Sequence, residues 1–239
     1  MNKYEIVQRI EKFAPLETQE KWDSSGWGVD VELTNPSPLT PLPQGARGNK
    51  NVNKILFALT VTDDVVEQAR KNCCDMIISH HPLFFVPFEY KDINIYSAHT
   101  NLDLAQGGTT DTLIKKLGFN KTRDEGFVRI VELEKEITVG ELREKLLKIS
   151  PKLRYVNNKN TQKIKTIAFC AGSGSEFINE TACDAFVTGD LKFHTALDSQ
   201  KVLFDIGHFE SEIFAPEILK EITKVGEEGI IADEKSPFI

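Results

Sequence analysis

Met76-Ile77-Ile78-Ser79-His80-His81-Pro82 is the stretch from which the rest of the chain can be read. Its apolar run reads as a buried strand. Two adjacent imidazoles close that strand, and histidine is the commonest neutral nitrogen ligand for transition metals. Successive strand residues face opposite ways, so both rings reach one cavity only where the strand ends and the backbone turns. Pro82 marks that end, because it lacks an amide proton and holds His81 extended. A hydrogen-bonded histidine pair without a ligand would leave the same signature, and this motif alone does not decide between the two.

Outward from it, strands and helices alternate from Lys54 onward. Strands are expected at 55–61, 76–79, 93–98, 127–133, 164–171, 184–188 and 202–206, with a final one at 229–232. Helices are expected at 62–72, with Thr62 as N-cap, and at 109–117, stopped by Gly118. Thr138 and Glu141 have capping-box spacing, which starts a helix through 149. A helix runs from His208 to about 225. Before this region, 3–14 places Ile6, Val7, Ile10, Phe13 and Ala14 on one helical face, ended by Pro15. Trp22-Asp23-Ser24-Ser25-Gly26-Trp27-Gly28 reads as an ordered loop, in which Asp23 either lines a site or caps a turn. Residues 33–53 hold Pro36, Pro38, Pro41 and Pro43 with no aromatic residue. They read as a flexible surface insertion.

The two halves repeat. Cys183-Asp184 follows Cys74-Asp75 by 109 residues (183 − 74). His208 and Glu212 follow His99 and Asp103 at the same interval (208 − 99 and 212 − 103). Each pair comes after a strand, and the element order between the landmarks recurs. This favours an internal repeat, hence an α/β fold of two similar lobes facing each other across a cleft. Lobe 1 is expected to span 1–123, completed by 213–239, and lobe 2 to span 124–212. Only the first half carries His80-His81; its counterparts are Gly189 and Asp190. At i and i+4 a histidine and a carboxylate share a helical face, which suits a common metal. His208 and Glu212 start a helix, whereas Thr100-Asn101-Leu102 looks more like a loop.

Composition bounds the function. The chain has 239 residues, 40% hydrophobic and 27% charged, as ordinary globular proteins do. A net charge of -7 argues against a general nucleic-acid binder but leaves room for a local basic patch and a small anionic substrate. None of the four cysteines forms a C-x-x-C pair, so buried reduced thiols are expected. The first residues do not read as a signal peptide, and no apolar run reaches membrane-spanning length. A soluble cytoplasmic protein without membrane contact is expected.

His80, His81, Asp103, His208 and Glu212 together offer three imidazoles and two carboxylates. Such a set suits zinc, iron, manganese or cobalt. Five ligands exceed the three of an open catalytic zinc site and fit two divalent ions, with Glu212 as the candidate bridge. Water held between such ions would be deprotonated near neutral pH and act as nucleophile.

Four blocks carry a resemblance: 79–84, 97–103, 188–194 and 207–212, with Trp22-Asp23 and Gly26 beside them. They are similar to the GTP cyclohydrolase 1 type 2 family, the NIF-three-like dinuclear-metal proteins, over nearly the whole chain. The resemblance implies a two-lobed α/β fold, a dinuclear centre in the cleft and a toroidal homohexamer. It also implies His80, His81, Asp103, His208 and Glu212 as the metal ligands. Gly26-Trp27-Gly28 departs from the family's usual Gly-Leu, segment 33–53 is extra, and the middle domain of longer members is absent. His99 and His194 are left over as catalytic candidates. His99 is a hydrogen-bond partner of a ligand, an acid or base, or structural. His194 faces the metals or lies on a surface helix. Lys192 contacts a substrate phosphate or is solvated. Gly172-Ser173-Gly174-Ser175 binds an anion at a helix N-terminus or is a tight turn. The function expected is metal-dependent hydrolysis of a nucleotide or other small anionic metabolite. The alternative is a non-enzymatic, metal-dependent binding or regulatory ring protein.

Overall fold

In the computed structural model, which describes residues 1–31 and 50–238, the chain opens with α1 (Lys3–Phe13). Asn2 caps this helix by accepting from the Tyr4 amide at 3.0 Å, and Ile6, Val7 and Ile10 form its buried face. Then follow β1 (Gly26–Val29), β2 (Ile55–Thr60), α2 (Asp63–Lys71), β3 (Met76–His81), β4 (Asn94–Ser97) and α3 (Thr100–Leu104). A second compact unit begins at Gln106. It holds α4 (Thr109–Lys116), β5 (Arg123–Glu125), β6 (Val128–Thr138), α5 (Val139–Leu146), β7 (Arg154–Val156), β8 (Lys163–Ser173), β9 (Ala185–Gly189), α6 (Phe193–Asp198), β10 (Val202–Asp205) and α7 (His208–Glu212). The chain then returns to the first unit for α8 (Ala215–Thr223) and β11 (Gly229–Ile231).

The first unit is built on a sheet of order β1-β4-β3-β2-β11, parallel except for β1, which runs antiparallel to β4. Its central strands are buried on both faces, the pattern of a parallel sheet covered by helices. Thr62 caps α2 through the Val65 amide, and Val65, Val66 and Ala69 pack on Leu56, Ala58 and Ile77. Lys3 is buried in this unit. Its ammonium bonds Asp30 at 2.7 Å and Asn94 at 2.8 Å, so the buried charge is paired.

The second unit has the order β5-β6-β8-β9-β10-β7, with β8, β9 and β10 parallel and both flanking partners antiparallel. The capping box at Thr138 and Glu141 is formed in both directions and starts α5. One face of the sheet packs on Leu113, Leu142 and Leu146, and the other, with Val128, Ala168 and Phe186, packs on Ile178.

The repeat is visible in each unit taken by itself. Three parallel strands with the second in the middle, β2-β3-β4 and β8-β9-β10, are bordered at the third by an antiparallel strand, β1 or β7. Even the unit boundaries keep the interval: Ala105 and Phe214 lie 109 apart (214 − 105). The helix after each boundary joins the other half's sheet, α4 packing on β6 and β8, and α8 on β2 and β3. That packing is why the first boundary falls at Ala105, not at 123, and the second at Phe214.

Several local expectations change. Gly26–Val29 is a strand, because pairing with β4 supplies its ladder. Residues 99–103 are not a loop, since α3 begins directly after His99. The helix expected from His208 to 225 is broken at Ile213-Phe214 into α7 and α8, where the chain leaves one unit for the other. No helix follows Gly174; residues 175–180 form turns. Of the Pro-rich segment 33–53, residues 33–49 lie outside the described residues. Residues 50–53 belong to the fold: Val52 is buried, its amide donating to the Met1 carbonyl at 2.7 Å. Among the described residues, no helix is long and apolar enough to cross a membrane.

Candidate metal centre

In the first unit, three histidines converge. His80 and His81 are the last residues of β3, and His99 precedes α3. Their ring centroids are 5.0 Å (His80–His81), 5.1 Å (His80–His99) and 5.4 Å (His81–His99) apart. Each can offer one ring nitrogen so that the three atoms lie within 4.8 Å of one another, a group that could hold a metal ion. Asp103 lies one helical turn beyond His99, with Oδ1 3.4 Å from His80 Nε2.

The rings are held from behind. His80, with no exposed side-chain surface, has Nδ1 2.8 Å from the Ala98 carbonyl oxygen. His81 Nδ1 lies 2.7 Å from the hydroxyl of Thr60, the residue opposite it in β2. His99 Nδ1 lies 2.9 Å from Asp23 Oδ1. The Asp23 carboxylate also accepts from the Ser24 amide at 2.6 Å, the Ser25 hydroxyl at 2.8 Å, and the Thr100 amide and hydroxyl at 3.0 and 2.5 Å. Burial alone would push the Asp23 carboxyl up. Hydrogen bonds from His99, Thr100 and Ser25, with the His99 charge, outweigh it and hold the group well below the usual carboxylate range. Asp23 is therefore an ionised anchor that fixes both His99 and the start of α3.

In the second unit, α7 places His208 and Glu212 on one face, with Nε2 and Oε2 3.0 Å apart. His208 Nδ1 lies 2.6 Å from Asp190 Oδ2. The Glu212 hydrogen bond, working against burial and aided by Asp190, pushes the His208 imidazole up to about 10. Glu212 is buried, and its carboxylate has room only because residue 172 is glycine. A Cβ there would come 2.2 Å from Oε1, and the backbone φ is +66°.

One rule covers all four rings: Nδ1 faces an oxygen and Nε2 faces away from it. Carbonyl and carboxylate oxygens only accept, so His80, His99 and His208 carry a proton on Nδ1. In the neutral ring of His80 or His99 this leaves the Nε2 lone pair for a ligand, whereas His208 holds Nε2 against Glu212 and must release that proton before it can bind one. Metal-binding histidines are typically supported in this way. Oriented imidazoles, with the half-buried Asp103 carboxylate in the first unit and the buried Glu212 carboxylate in the second, suit a borderline divalent cation, so the donor set fits.

The remaining sequence candidates separate. His194 is exposed on α6, its ring against Phe193, and joins no donor group among the described residues. Lys192 is exposed and precedes the same helix. The Gly172 and Gly174 amides donate to the Ser211 and Thr188 hydroxyls at 2.9 and 2.8 Å, so this turn offers no amide nest at a helix N-terminus. Two orienting residues escaped the sequence reading, Thr60 and Asp190. The β2–β3 register would have exposed the first. The repeat pointed at the second, since Asp190 is the counterpart of His81 (190 − 81 = 109).

A family profile described as Duf34/NIF3 (NGG1p interacting factor 3) matches residues 1–232. The chain is 35% identical to a Clostridium perfringens protein named GTP cyclohydrolase 1 type 2 homolog, over 98% of this chain and 97% of that protein. A Clostridium acetobutylicum protein of the same name is 32% identical, over 87% of this chain and 84% of that protein. Among solved structures, a Bacillus cereus protein related to NIF3 superposes with a TM-score of 0.80 over 100% of this chain and 99% of that one. At 20% identity, that likeness speaks to the fold alone.

Proposed function

The chain belongs to the Duf34/NIF3 family, and from that premise we propose that it is a metal-dependent hydrolase of a nucleotide or other small anionic metabolite. In this reading His80, His81 and Asp103 of the first unit, with His208 and Glu212 of the second, are the ligands of two divalent ions. The observation that carries it is the shared orientation of the histidines, each with Nδ1 engaged by an oxygen. Paired structural histidines need no such uniformity. Divalent ions held there would supply Lewis acidity and acidify water.

The protein's own residues would do the rest. Asp23 keeps the His99 proton on Nδ1, so His99 Nε2 is the atom that takes up or returns a proton during turnover. Asp190 does the same orienting work for His208. The relatives' printed names point to a guanine nucleotide, but no residue of the site selects guanine, and the substrate class stays at small anions. We also propose assembly as a homohexamer, which the resemblance of the sequence blocks implies.

Elemental analysis of purified protein tests the metal reading, with two divalent ions per chain expected. A metal-free protein, or metal retained in full by His80→Ala combined with His208→Ala, overturns it. The hydrolase reading expects turnover of some member of a nucleotide and phosphoester panel, abolished by Glu212→Gln. A metal-loaded protein inert on the whole panel, with partner binding controlled by metal content, gives the binding or regulatory reading instead.

A further inference from the structure

β2, β3 and β11 run parallel, so all three end on one edge of the first unit's sheet. β3 ends there in His81 and β2 in Thr60, its register partner. Beyond β11, three successive residues are each tied to that edge. The Ala232 amide donates to the Phe57 carbonyl at 2.8 Å. The Gln68 side chain, from α2, accepts from the Asp233 amide and donates to the Asp233 carbonyl, both at 2.9 Å. Glu234 then lays its carboxylate across the end of β2. Its Oε2 accepts from the Leu59 amide at 2.6 Å and its Oε1 from the Thr60 amide at 2.9 Å.

Water at a strand end would satisfy two such amides equally well. A half-buried carboxylate does more, because charge-assisted bonds are stronger than neutral ones and two of them fix the main chain of residue 60. Thr60 is β-branched, so once its main chain is fixed its hydroxyl has few positions open to it. That hydroxyl lies 2.7 Å from His81 Nδ1. The other rings meet firmer partners at Nδ1: a main-chain carbonyl for His80, and the carboxylates of Asp23 and Asp190 for His99 and His208. His81 meets a neutral hydroxyl, which turns about its own bond. The carboxylate that steadies it stands one residue further back.

We propose that Glu234 is a positioning residue for His81, acting through Thr60, so that the segment 232–234 is part of the metal centre's framework. Its side chain bonds to the main chain of β2, and the effect passes from the Thr60 main chain to its hydroxyl and from there to the imidazole. The purpose of this brace rests on the metal reading, but the orientation it imposes is a property of the metal-free chain as well.

The test compares full-length Glu234→Gln, Thr60→Val and the double variant, with folding checked by circular dichroism. Glu234→Gln keeps the size but removes the charge and sets an amide donor near the two main-chain amides. Thr60→Val removes the hydroxyl and keeps the branched shape. Nitrogen NMR of the metal-free proteins, at a pH where imidazole is neutral, reads which nitrogen of His81 carries the proton. The unaltered protein should show the Nδ1-protonated form, and all three variants a mixture. Zinc affinity, read by competition with a chromogenic chelator, should fall roughly 10–100-fold in each single variant, as for other outer partners of metal-binding histidines. The double variant should bind zinc no more weakly than Thr60→Val, because the two residues act in series. An unchanged ring and unchanged zinc affinity in Glu234→Gln, beside losses in Thr60→Val, overturn the proposal. Losses that multiply in the double variant overturn the route through Thr60. A protein that takes up no zinc sinks the metal reading, and the NMR comparison still decides this one. Should Glu234→Gln not fold, Gln68→Ala replaces it: loosening residue 233 should shift the His81 ring in the same direction, and an unmoved ring overturns the brace.

Discussion

Gly172→Ala is the sharpest test of the His208–Glu212 pair. Two terms act at residue 172. Its φ of +66° lies in the left-handed region, where a Cβ costs about 1 kcal/mol. The new methyl would also sit 2.2 Å from Glu212 Oε1 and 3.2 Å from Cδ, well inside contact distance. Glu212 is buried and bonded to His208 Nε2, so it cannot swing freely. Displacing it costs a further ~1–3 kcal/mol, as overpacked interiors generally do. The sum of about 2–4 kcal/mol corresponds to a fall in Tm of roughly 4–16 °C for a chain of this size. Gly126→Ala in the same unit isolates the first term. Its φ is +62° and nothing lies within 4 Å of its would-be Cβ, so it should cost only about 1 kcal/mol. Thermal and urea denaturation of both variants, with metal content measured alongside, gives the comparison. Gly172→Ala should be the less stable of the two and should lose metal that Gly126→Ala retains. Equal destabilisation by the two substitutions would refute the close approach of residue 172 to Glu212.

The other predictions concern charge. Asp23→Asn keeps the shape but turns one acceptor into an amide donor among five donor groups. It should destabilise by about 1–3 kcal/mol, read by urea titration. Because the Asp23 pKa is depressed in the fold, its contribution is present above the unfolded value near 4 and is lost as pH falls. The acid limb of the stability curve should therefore flatten in Asp23→Asn, and an unchanged limb would count against the anchor. His208 has the opposite sign. Its pKa is raised to about 10, so in metal-free protein its contribution is complete below about 6.5 and is lost as pH rises through 10. Metal binding at neutral pH should then release a proton, seen as a calorimetric enthalpy that varies with the buffer's ionisation heat. Lys3→Met leaves Asp30 buried without its cation and should cost about 3–5 kcal/mol by denaturant unfolding, whereas a near-neutral result would mean that the pair is not closed in solution.

What could be read from sequence and what could not divide along physical lines. The parallel strands were legible because burial on both faces writes them as continuous apolar runs, Ile55–Leu59 and Met76–Ile78 among them. Helix starts were legible where a side chain caps locally, at Thr62 and Thr138. The pairing of His208 with Glu212 followed from i, i+4 spacing. Elements fixed by distant partners were not legible. β1 is Gly-Trp-Gly-Val, with no alternation, and exists because β4 pairs with it. β5 is an exposed edge strand that shows no apolar pattern. α6 buries nothing and so has no periodicity to read. Asp23 could be read only as a site or turn residue, because its decisive partners, His99 and Thr100, lie 76 and 77 positions away.

The asymmetry of the repeat has a steric cause. The counterpart of His80 is Gly189, and a Cβ at 189 would meet backbone atoms of Gly207 and His208 at 2.7–2.8 Å. Backbone cannot move aside as a side-chain tip can, so no histidine fits there. The end of β9 lies too close to the start of α7 for the second half to carry a double histidine. The counterpart of His81 is then free to do something else. Asp190 takes a left-handed φ of +49°, a conformation aspartate tolerates better than most residues, and its carboxylate meets His208 Nδ1. In the first half that position is His81, whose Nδ1 faces Thr60, so the equivalent task for His99 falls to Asp23, which lies outside the repeated frame. Each half therefore has one histidine after its third parallel strand, braced by a carboxylate at Nδ1, but the brace comes from a different part of the chain. The close approach at Gly189 thus accounts for the concentration of imidazoles in the first unit, and it leaves the second unit with one histidine beside a buried glutamate.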